Sequence, residues 1–394
     1  MVYLDNAATT ALDSDVLDAM QPYFGEHFGN ASSVHAYGRE ARMAVERARQ
    51  ISADVLGAQA KEIIFTSSAT EANNLAIKGT VEWLRDKYPT SLLEIVASPI
   101  EHPCTLESLK HVEKLGWAKI VWLPVSAEGM VSSESVAAAI NENTVMVSVM
   151  CVNNEIGTVM PLSQIAEEIR RVRKHRGATG LPLYFHTDAV QAVQYFDCNV
   201  DLLGVDLLSL TGHKLYGPKG TGLLCVRDGI QIVRQIDGGG QEYYKRAGTE
   251  NVAGIVGFAA ALQKYAWKES TQFDSLKELQ QFLVSEVTNR ISESRLTGHF
   301  ELRAPHITSF IFENVDPEAL IIALDREGFA VSSGSACSSG IVRQSHVIES
   351  LHLDIAKKSA AVRISTGYQT TKKDIEKFIV ALEKNVAQLR DLRL

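Results

Sequence analysis

Cysteines are few in this 394-residue sequence, and their spacing excludes the common cysteine-based frameworks. The chain has five of them, widely separated and without a CxxC pair: Cys104, Cys151, Cys198, Cys225 and Cys337. An odd number of isolated cysteines is typical of free thiols in a reducing compartment, not of a disulfide scaffold or a structural zinc site. We therefore expect a cytoplasmic protein with no metal centre.

Long apolar runs and an excess of basic residues are missing as well. No stretch approaches the roughly 20 apolar residues that span a bilayer. The start of the chain, Met1–Asn6, lacks the basic and apolar regions of a secretory signal. The net charge of −8 argues against a nucleic-acid-binding surface. We expect neither membrane nor direct nucleic-acid contact, and a small amino-acid substrate stays compatible with this composition.

Short apolar segments alternate with helical patterns from about residue 60 to 226, which is typical of an α/β sheet covered on both faces. The predicted strands are Glu62–Thr66, Glu94–Ala97, Lys119–Leu123, Thr144–Met150, Leu183–Thr187, Asp206–Leu210 and Thr221–Val226. Later, long helical patterns enclose a few strand candidates: Ile307–Phe312, Ala330–Ser332 and Ala361–Ser365. We predict a large domain over residues 14–258 and a smaller α+β domain from residues 1–13 and 259–394.

Polar side chains follow several of these strands, where open α/β sheets bind their ligands. Thr70 lies in the first turn of a predicted helix; either Ser68 or Thr70 simply caps this helix, or the hydroxyls and N–H groups there help to bind a phosphate. Asp188 ends a buried strand and serves either as a helix N-cap or as the partner of a positively charged ring nitrogen. Lys214 directly follows the next apolar strand, and a partly buried lysine there can form a Schiff base.

Cys337 lies in a segment that consists mostly of serine and glycine, Val331–Gly340. This composition predicts an exposed loop that carries a thiol. An exposed cytosolic thiol is prone to oxidation, so its presence indicates a use, although an incidental loop cysteine is the alternative.

Several motifs, taken together and in order, resemble the cysteine desulfurases, the NifS/IscS-like subgroup of the aminotransferase class V family. The resemblance extends from residue 3 to about 367 and rests on Tyr3–Thr10, Gly29–His35, Ser68–Asn74, Val152–Gly157, Thr211–Lys214, Arg246–Asn251 and the Ser335–Ser338 loop. It implies a pyridoxal-phosphate enzyme of fold type I, with a mostly parallel seven-stranded sheet in the large domain. Within that family, Thr211 stands where serine is frequent.

The resemblance also implies roles for individual residues. Lys214 would bind pyridoxal 5'-phosphate and later move the substrate Cα proton, Asp188 would pair with the ring nitrogen, and His102 would stack on the ring and shuttle protons. The remaining cofactor contacts would come from Gln191 at the ring hydroxyl oxygen, from Ala69, Thr70, Thr211 and His213 around the phosphate, from Asn154, and from Thr249 of the neighbouring subunit in a homodimer. Arg363 would bind the substrate carboxylate, with Asn154 assisting.

The implied reaction converts L-cysteine to L-alanine and leaves the sulfur as a persulfide on Cys337. Acceptor proteins, such as an iron–sulfur scaffold, would take the sulfur. A selenocysteine lyase is an alternative that would use the same residues. A non-catalytic sulfur-assembly scaffold is another, but it would be expected to lack Lys214, Asp188 or Cys337, and all three are present. A kynureninase-like hydrolase shares the fold but has no use for the Cys337 loop.

Overall fold

A computed structural model describes residues 1–177, 180–267, 271–333, 345–355 and 359–392. Its helices are α1 (Ser14–Met20), α2 (Pro22–Gly25), α3 (Ala36–Leu56), α4 (Ala69–Asn74), α5 (Thr80–Lys87), α6 (Pro103–Lys114), α7 (Ser133–Ala139), α8 (Leu162–Arg176), α9 (Val200–Leu203), α10 (Val252–Tyr265), α11 (Thr271–Arg290), α12 (Pro317–Arg326), α13 (His346–Ser350) and α14 (Lys372–Asp391).

Its strands are β1 (Val2–Tyr3), β2 (Ile63–Thr66), β3 (Glu94–Ala97), β4 (Lys119–Trp122), β5 (Thr144–Ser148), β6 (Tyr184–Asp188), β7 (Leu207–Thr211), β8 (Gly222–Val226), β9 (Ser294–Leu296), β10 (Ile307–Glu313), β11 (Phe329–Ala330), β12 (Ser332–Ser333) and β13 (Ser359–Ser365). A π-helical turn, Leu75–Gly79, joins α4 to α5. No helix among the described residues is long and apolar enough to cross a membrane.

The large sheet has seven strands in the order β2-β8-β7-β6-β5-β3-β4. Neighbours from β7 to β4 run parallel, whereas β8 is antiparallel to both β7 and β2. All seven predicted strands are present, with ends shifted by at most two residues. The mostly parallel seven-stranded sheet is therefore confirmed.

Helices cover this sheet on both faces because its strands are apolar on both sides. Successive residues of β3 show this: Ile95 packs with Leu84 of α5 and Leu109 of α6, whereas Val96 belongs to the opposite core. Alternation of neighbouring side chains between two faces is the period of a β-strand. The carboxyl ends of the parallel strands thus lie at one edge, where the polar residues of the site gather.

The smaller unit is an antiparallel sheet in the order β12-β13-β10-β9 with helices packed against it. Its core includes Leu4, because β1 pairs in parallel with β11 and brings the N-terminus into this unit. The sequence did not predict β1 or β9, which are only two and three residues long. The division after residue 258 stays a prediction; it falls inside α10, whose Leu262 and Tyr265 still pack in the large core.

Candidate active site

Asp188 is the last residue of β6, and its carboxylate is buried with only 5% of the residue exposed. One oxygen accepts a hydrogen bond from Asn73 Nδ2 at 2.7 Å, and the other accepts from Val190 N at 3.0 Å. The residues that follow form turns, so Asp188 does not cap a helix. Both donors are neutral, so neither competes with a cationic partner of Asp188 such as a protonated ring nitrogen.

Lys214 closes a 3-10 turn, Gly212–Lys214, that follows β7 directly. The turn is tight, because a Cβ on Gly212 would lie 2.6 Å from Thr221 Oγ1. Lys214 Nζ donates to the carbonyl oxygens of Ala7 and Ala8, each at 2.5 Å. The N-terminal segment therefore crosses the site and holds the amine of the lysine in place.

His102 is the N-cap of α6, and its Nδ1 accepts a hydrogen bond from the backbone N–H of Cys104 at 3.2 Å. Burial lowers the pKa of His102, and the positive charge of Lys214 acts in the same direction although Asp188 opposes it. The imidazole is therefore neutral at neutral pH. Since Nδ1 is the acceptor, the single ring proton lies on Nε2.

The first turn of α4 packs closely against strand β8 and is a candidate phosphate site. Ser68 is the N-cap, and its Oγ accepts from Glu71 N at 3.2 Å, so the capping role predicted for this segment belongs to Ser68. Ala69 and Thr70 occupy the first turn, with free N–H groups of the kind that bind phosphates. Thr70 is exposed, and its hydroxyl also reaches Cys104. Gly222 in β8 is required here, because a Cβ would lie 2.4 Å from the Ser68 carbonyl carbon.

The other predicted phosphate contacts already have partners within the chain. Thr211 donates its hydroxyl proton to Thr221 O at 2.8 Å, so a bond to phosphate would require the hydroxyl to rotate. His213 Nδ1 lies 3.2 Å from Thr9 Oγ1. Burial lowers the pKa of His213 to about 4, and Lys214 contributes, so this histidine would meet a phosphate as a neutral donor.

Gln191 is buried behind the N-terminal segment. Its Nε2 donates to Ala7 O at 2.9 Å, and its Oε1 lies 3.1 Å from His306 Nε2. Burial lowers the pKa of His306 to about 3, so this ring is neutral and donates from Nε2. The second N–H of the Gln191 amide is then the group that would meet a ring hydroxyl oxygen.

Arg363 lies in β13 and is 5% exposed. Its Nη1 donates to the backbone oxygen of Asn154 and its Nη2 to Asp5 Oδ1, both at 2.8 Å. Its buried Nε has no hydrogen-bond partner among the described residues. A planar guanidinium with an unsatisfied edge is suited to bind a carboxylate.

These residues, predicted from separate parts of the sequence, converge on one place. The charges of Asp188, Lys214 and Arg363 all act on the imidazole of His102. Thr249 is exposed, and no hydrogen bond links it to the other site residues within the described part of the chain. Cys337 lies outside the described residues.

The sequence reasoning missed three residues of this site: Asn73, Asp5 and Cys104. Asn73 and Asp5 lie inside motifs that carried the family resemblance, but only the spatial contacts with Asp188 and Arg363 give them a role. From its sequence context Cys104 has no role beyond that of a free thiol, yet its Sγ is 3.0 Å from His102 Nδ1. A signal existed for Cys104, since it follows His102 by two residues at a helix start.

Comparison with known proteins assigns the family. Residues 2–378 match the aminotransferase class-V family. The chain is 43% identical to a cysteine desulfurase IscS of Dictyoglomus turgidum over 391 residues, which is 99% of this chain and 96% of that protein. Among solved structures, a NifS-like protein superposes with a TM-score of 0.88 and 33% identity, covering 98% of this chain and 100% of the other.

A further solved structure, described as SspA in complex with cysteine, has a TM-score of 0.79 and 33% identity and covers 94% of this chain and 100% of its own. The match with these proteins runs over nearly the full length of each. This chain therefore belongs to the aminotransferase class-V family of pyridoxal-phosphate enzymes, with fold type I, and within it to the cysteine desulfurases of the IscS/NifS type.

Proposed function

We propose that this chain is a pyridoxal-phosphate-dependent cysteine desulfurase that converts L-cysteine to L-alanine. The sulfur would pass through a persulfide on Cys337 to acceptor proteins such as an iron–sulfur scaffold. The observation that carries this proposal is that Lys214 and Arg363 both bind the short N-terminal segment Asp5–Ala8. Asp188 reaches the same site through Asn73, whose amide contacts Cys104 beside His102. One cationic amine, one buried carboxylate and one carboxylate-binding guanidinium are the groups that amino-acid chemistry on pyridoxal phosphate needs.

The residues fit this cofactor. Asp188 would hold the ring nitrogen in its protonated form, Lys214 would bind the cofactor covalently, and the first turn of α4, with Ala69 and Thr70, would receive the phosphate. Further contacts are proposed from Gln191, Thr211, His213 and Asn154. The bound cofactor supplies an electron sink for the substrate Cα.

The substrate is placed by its carboxylate. Arg363 offers its unsatisfied Nε edge, and the backbone oxygen of Asn154 keeps the guanidinium oriented. One of the solved relatives is described as a complex with cysteine. We infer that this chain binds the same amino acid, with its Cα next to Lys214.

Two groups can then move protons. The amine of Lys214 would lie next to the substrate Cα and would take its proton. His102 is neutral with its proton on Nε2, so it donates a hydrogen bond at that atom, and it would relay a proton by taking one up at Nδ1 as it releases the one on Nε2. Burial lowers the pKa of His102, so the neutral imidazole is its resting form.

The position of Cys337 is supported by the chain on either side of it. Ser332 pairs with Arg363 in the sheet, and Cys337 follows Ser333 by four residues. At ~3.5 Å per residue, these residues span up to about 14 Å. On the other side, Ser345 donates to Glu155, the neighbour of Asn154. The described residues on either side of Cys337, Ser332 and Ser345, thus lie beside Arg363 and next to the neighbour of Asn154.

The sulfur step is a transfer between two sulfur atoms. The Cys337 thiolate attacks the substrate sulfur, the substrate C–S bond breaks, and the remaining three-carbon unit takes up protons to leave as L-alanine. Cys337 keeps the sulfur as a persulfide until an acceptor thiol removes it.

We further propose a homodimer, to which each subunit contributes Thr249 at the phosphate of its neighbour. Exposed apolar side chains gather between α2 and α3, including Phe24, Phe28 and Tyr37. Patches of this kind mark protein–protein interfaces. Four cysteines within the described residues are free thiols, which supports a cytoplasmic location.

The test is mass spectrometry after brief incubation with cysteine and without reductant. We expect the mass of one sulfur atom on the Cys337 peptide, lost in Cys337→Ser together with alanine release, whereas the holoenzyme spectrum still shifts when cysteine is added. Cys225→Ser, at a buried thiol in β8, is the control and should behave as the wild type. Sulfur on another cysteine, or normal turnover of Cys337→Ser, would refute the proposal. Alanine release from selenocysteine but not from cysteine would favour the lyase.

A further inference from the structure

A chain of buried polar groups runs from the middle of the large sheet to Asp188. Asn73 is fully buried; its Nδ2 donates to Asp188 Oδ2 at 2.7 Å, and its Oδ1 lies 3.1 Å from His186 Nε2. His186 Nδ1 is 2.9 Å from the hydroxyl of Ser148 in β5. His186 and Asp188 are two residues apart in β6 and so point to the same face of the sheet.

The direction of each hydrogen bond in this chain follows from the chemistry of its members. The Asp188 carboxylate only accepts, so the NH2 group of Asn73 must face it and the amide oxygen must face His186. Burial lowers the pKa of His186 to about 3, so its ring is neutral and carries one proton. That proton lies on Nε2 and is donated to Asn73, which leaves Nδ1 to accept from Ser148. All hydrogen bonds in this series therefore run the same way: Ser148 donates to His186, His186 to Asn73, and Asn73 to Asp188.

The amide of Asn73 has a second contact, on the His102 side. Its Nδ2 lies 3.1 Å from Cys104 Sγ, and that sulfur is 3.0 Å from His102 Nδ1. Burial raises the pKa of Cys104 to about 12, so the thiol stays protonated and can donate to Nδ1. The buried amide of Asn73 therefore contacts Asp188 directly and also contacts Cys104, the neighbour of His102.

We propose that Asn73 is a positioning residue for the reaction: with His186 and Ser148 behind it, its N–H group holds the Asp188 carboxylate in place and aimed at the cofactor ring. This inference deepens the proposed function and rests on it, because it assigns Asp188 to the ring nitrogen. A hydrogen bond from a fixed donor stabilises the charged form of a buried carboxylate, and its loss leaves that charge undersatisfied.

The test compares Asn73→Ala with Asn73→Asp by equilibrium dialysis of the holoenzyme against pyridoxal phosphate. Asp has the size of Asn but faces Asp188 with an oxygen in place of a donor. The ionisable groups around position 73 are Asp188 and His186 from β6, with Cys104 and His102 at the start of α6. At pH 8 we expect both variants to raise the dissociation constant for the cofactor about tenfold or more, with Asp at least as harmful as Ala.

A second readout is the visible absorbance of the holoenzyme as a function of pH. Loss of the Asn73 donor should shift the midpoint of its titration, because the charge that Asp188 presents to the ring changes. Asn385→Ala removes another buried asparagine, which contacts Glu327 in the smaller unit, and should leave both readouts unchanged. It controls for the general cost of deleting a buried amide.

Asp188→Asn, measured in parallel, separates the role of Asp188 at the ring nitrogen from the role of Asn73 as its donor. If it leaves the cofactor affinity unchanged, the assignment of Asp188 fails and the inference fails with it. If Asp188→Asn weakens binding while Asn73→Asp binds as the wild type, Asn73 only fills space and the inference alone is wrong. If the Asn73 variants do not fold, Ser148→Ala takes their place: it removes the hydroxyl that fixes His186, and we expect about a threefold rise. An unchanged dissociation constant in Ser148→Ala would refute the proposed role of these hydrogen bonds.

Discussion

Burial keeps the histidines around the site neutral at physiological pH. The pKa of each is lowered, to about 3 for His186 and His306, to about 4 for His213, and by burial for His102 as well. Anionic groups of substrate and cofactor must therefore be met by Lys214, Arg363 and neutral donors. The imidazoles serve as directional hydrogen-bonding groups, and the tautomers of His102, His186 and His306 follow from their neighbours.

Arg363→Lys tests the proposed carboxylate site. Lysine keeps the charge but loses the planar fork, so it cannot contact Asp5, Asn154 and a carboxylate together. We expect KM for cysteine to rise about 10- to 100-fold, with a smaller change in kcat, because the lost interaction is a charge-assisted bidentate one. Steady-state alanine release measures both, with exposed Arg326→Lys as the control. A change confined to kcat would contradict this role.

Glu155, next to Asn154, gives a prediction about stability and pH. Burial raises the pKa of its carboxyl to about 7, although Ser345 donates to it. The folded protein thus binds a proton that the unfolded chain has released above its ordinary pKa. The resulting stabilisation is complete below pH 4.5 and is lost as the pH rises through about 7.

Glu155→Gln removes this titration and keeps an acceptor for Ser345. We expect the variant to gain on the order of 3 kcal/mol of unfolding free energy, relative to the wild type, between pH 5 and pH 8. Urea unfolding at the two pH values measures the difference. Glu167→Gln, on the exposed side of α8, should show no such pH-dependent gain, and a constant offset for Glu155→Gln would argue against the raised pKa.

At the level of elements, the strands of the large sheet were predictable because most of them are short apolar runs buried on both faces; the edge strand β4 is partly exposed. Asp188 and Lys214 were predictable for the same reason, since both follow such runs directly. The pairing of β1 with β11 was not, because a two-residue strand at the other end of the chain has no local pattern. Asn73 was equally invisible as a site residue, because its partners lie on β6 and α6 and only the fold brings them together.

The segment before Thr249 is held in a strained shape by one buried ion pair. Glu242, Tyr243 and Tyr244 all have positive φ angles, of 46°, 56° and 63°. Residues other than glycine adopt this region at a cost of about 1–3 kcal/mol each. Glu242 accepts from Phe65 N at the edge strand β2 and pairs with Arg49 at 2.7 Å. This pair fixes the segment against the sheet.

Arg49→Met should therefore destabilise the protein by about 3 kcal/mol, because it leaves the Glu242 carboxylate buried and unpaired. The double variant Arg49→Met with Glu242→Leu should recover part of the loss. Lys61→Met breaks an exposed pair with Asp228, which solvent screens, and should cost far less than Arg49→Met. Denaturant unfolding gives all three values. Equal costs for Arg49→Met and Lys61→Met would show that the buried pair does not hold this segment.

At the scale of the whole molecule, the N-terminal segment joins the two units and closes the site. Leu4 is buried in the smaller core, whereas Ala7 and Ala8 contact Lys214 of the large unit. Arg363 of the smaller unit contacts Asn154 of the large one. The candidate site therefore lies where both units meet, and neither unit alone contains it.

The proposed homodimer can be tested at an exposed apolar patch. Phe28 and Phe300 are equally exposed, each at 68%, but Phe28 lies in the apolar patch between α2 and α3, close to Tyr37, with ring centroids 5.4 Å apart. If this patch covers the same patch of a second copy, Phe28→Asp buries a charge in the interface and should shift the protein to monomers in sedimentation experiments. Phe300→Asp makes the same change elsewhere and should stay dimeric.

Because Thr249 would reach the neighbouring phosphate, monomers of Phe28→Asp should also lose affinity for pyridoxal phosphate, as Thr249→Ala should within an intact dimer. A monomeric wild type, or monomeric Phe28→Asp with unchanged cofactor affinity, would show that the neighbouring subunit does not complete the site.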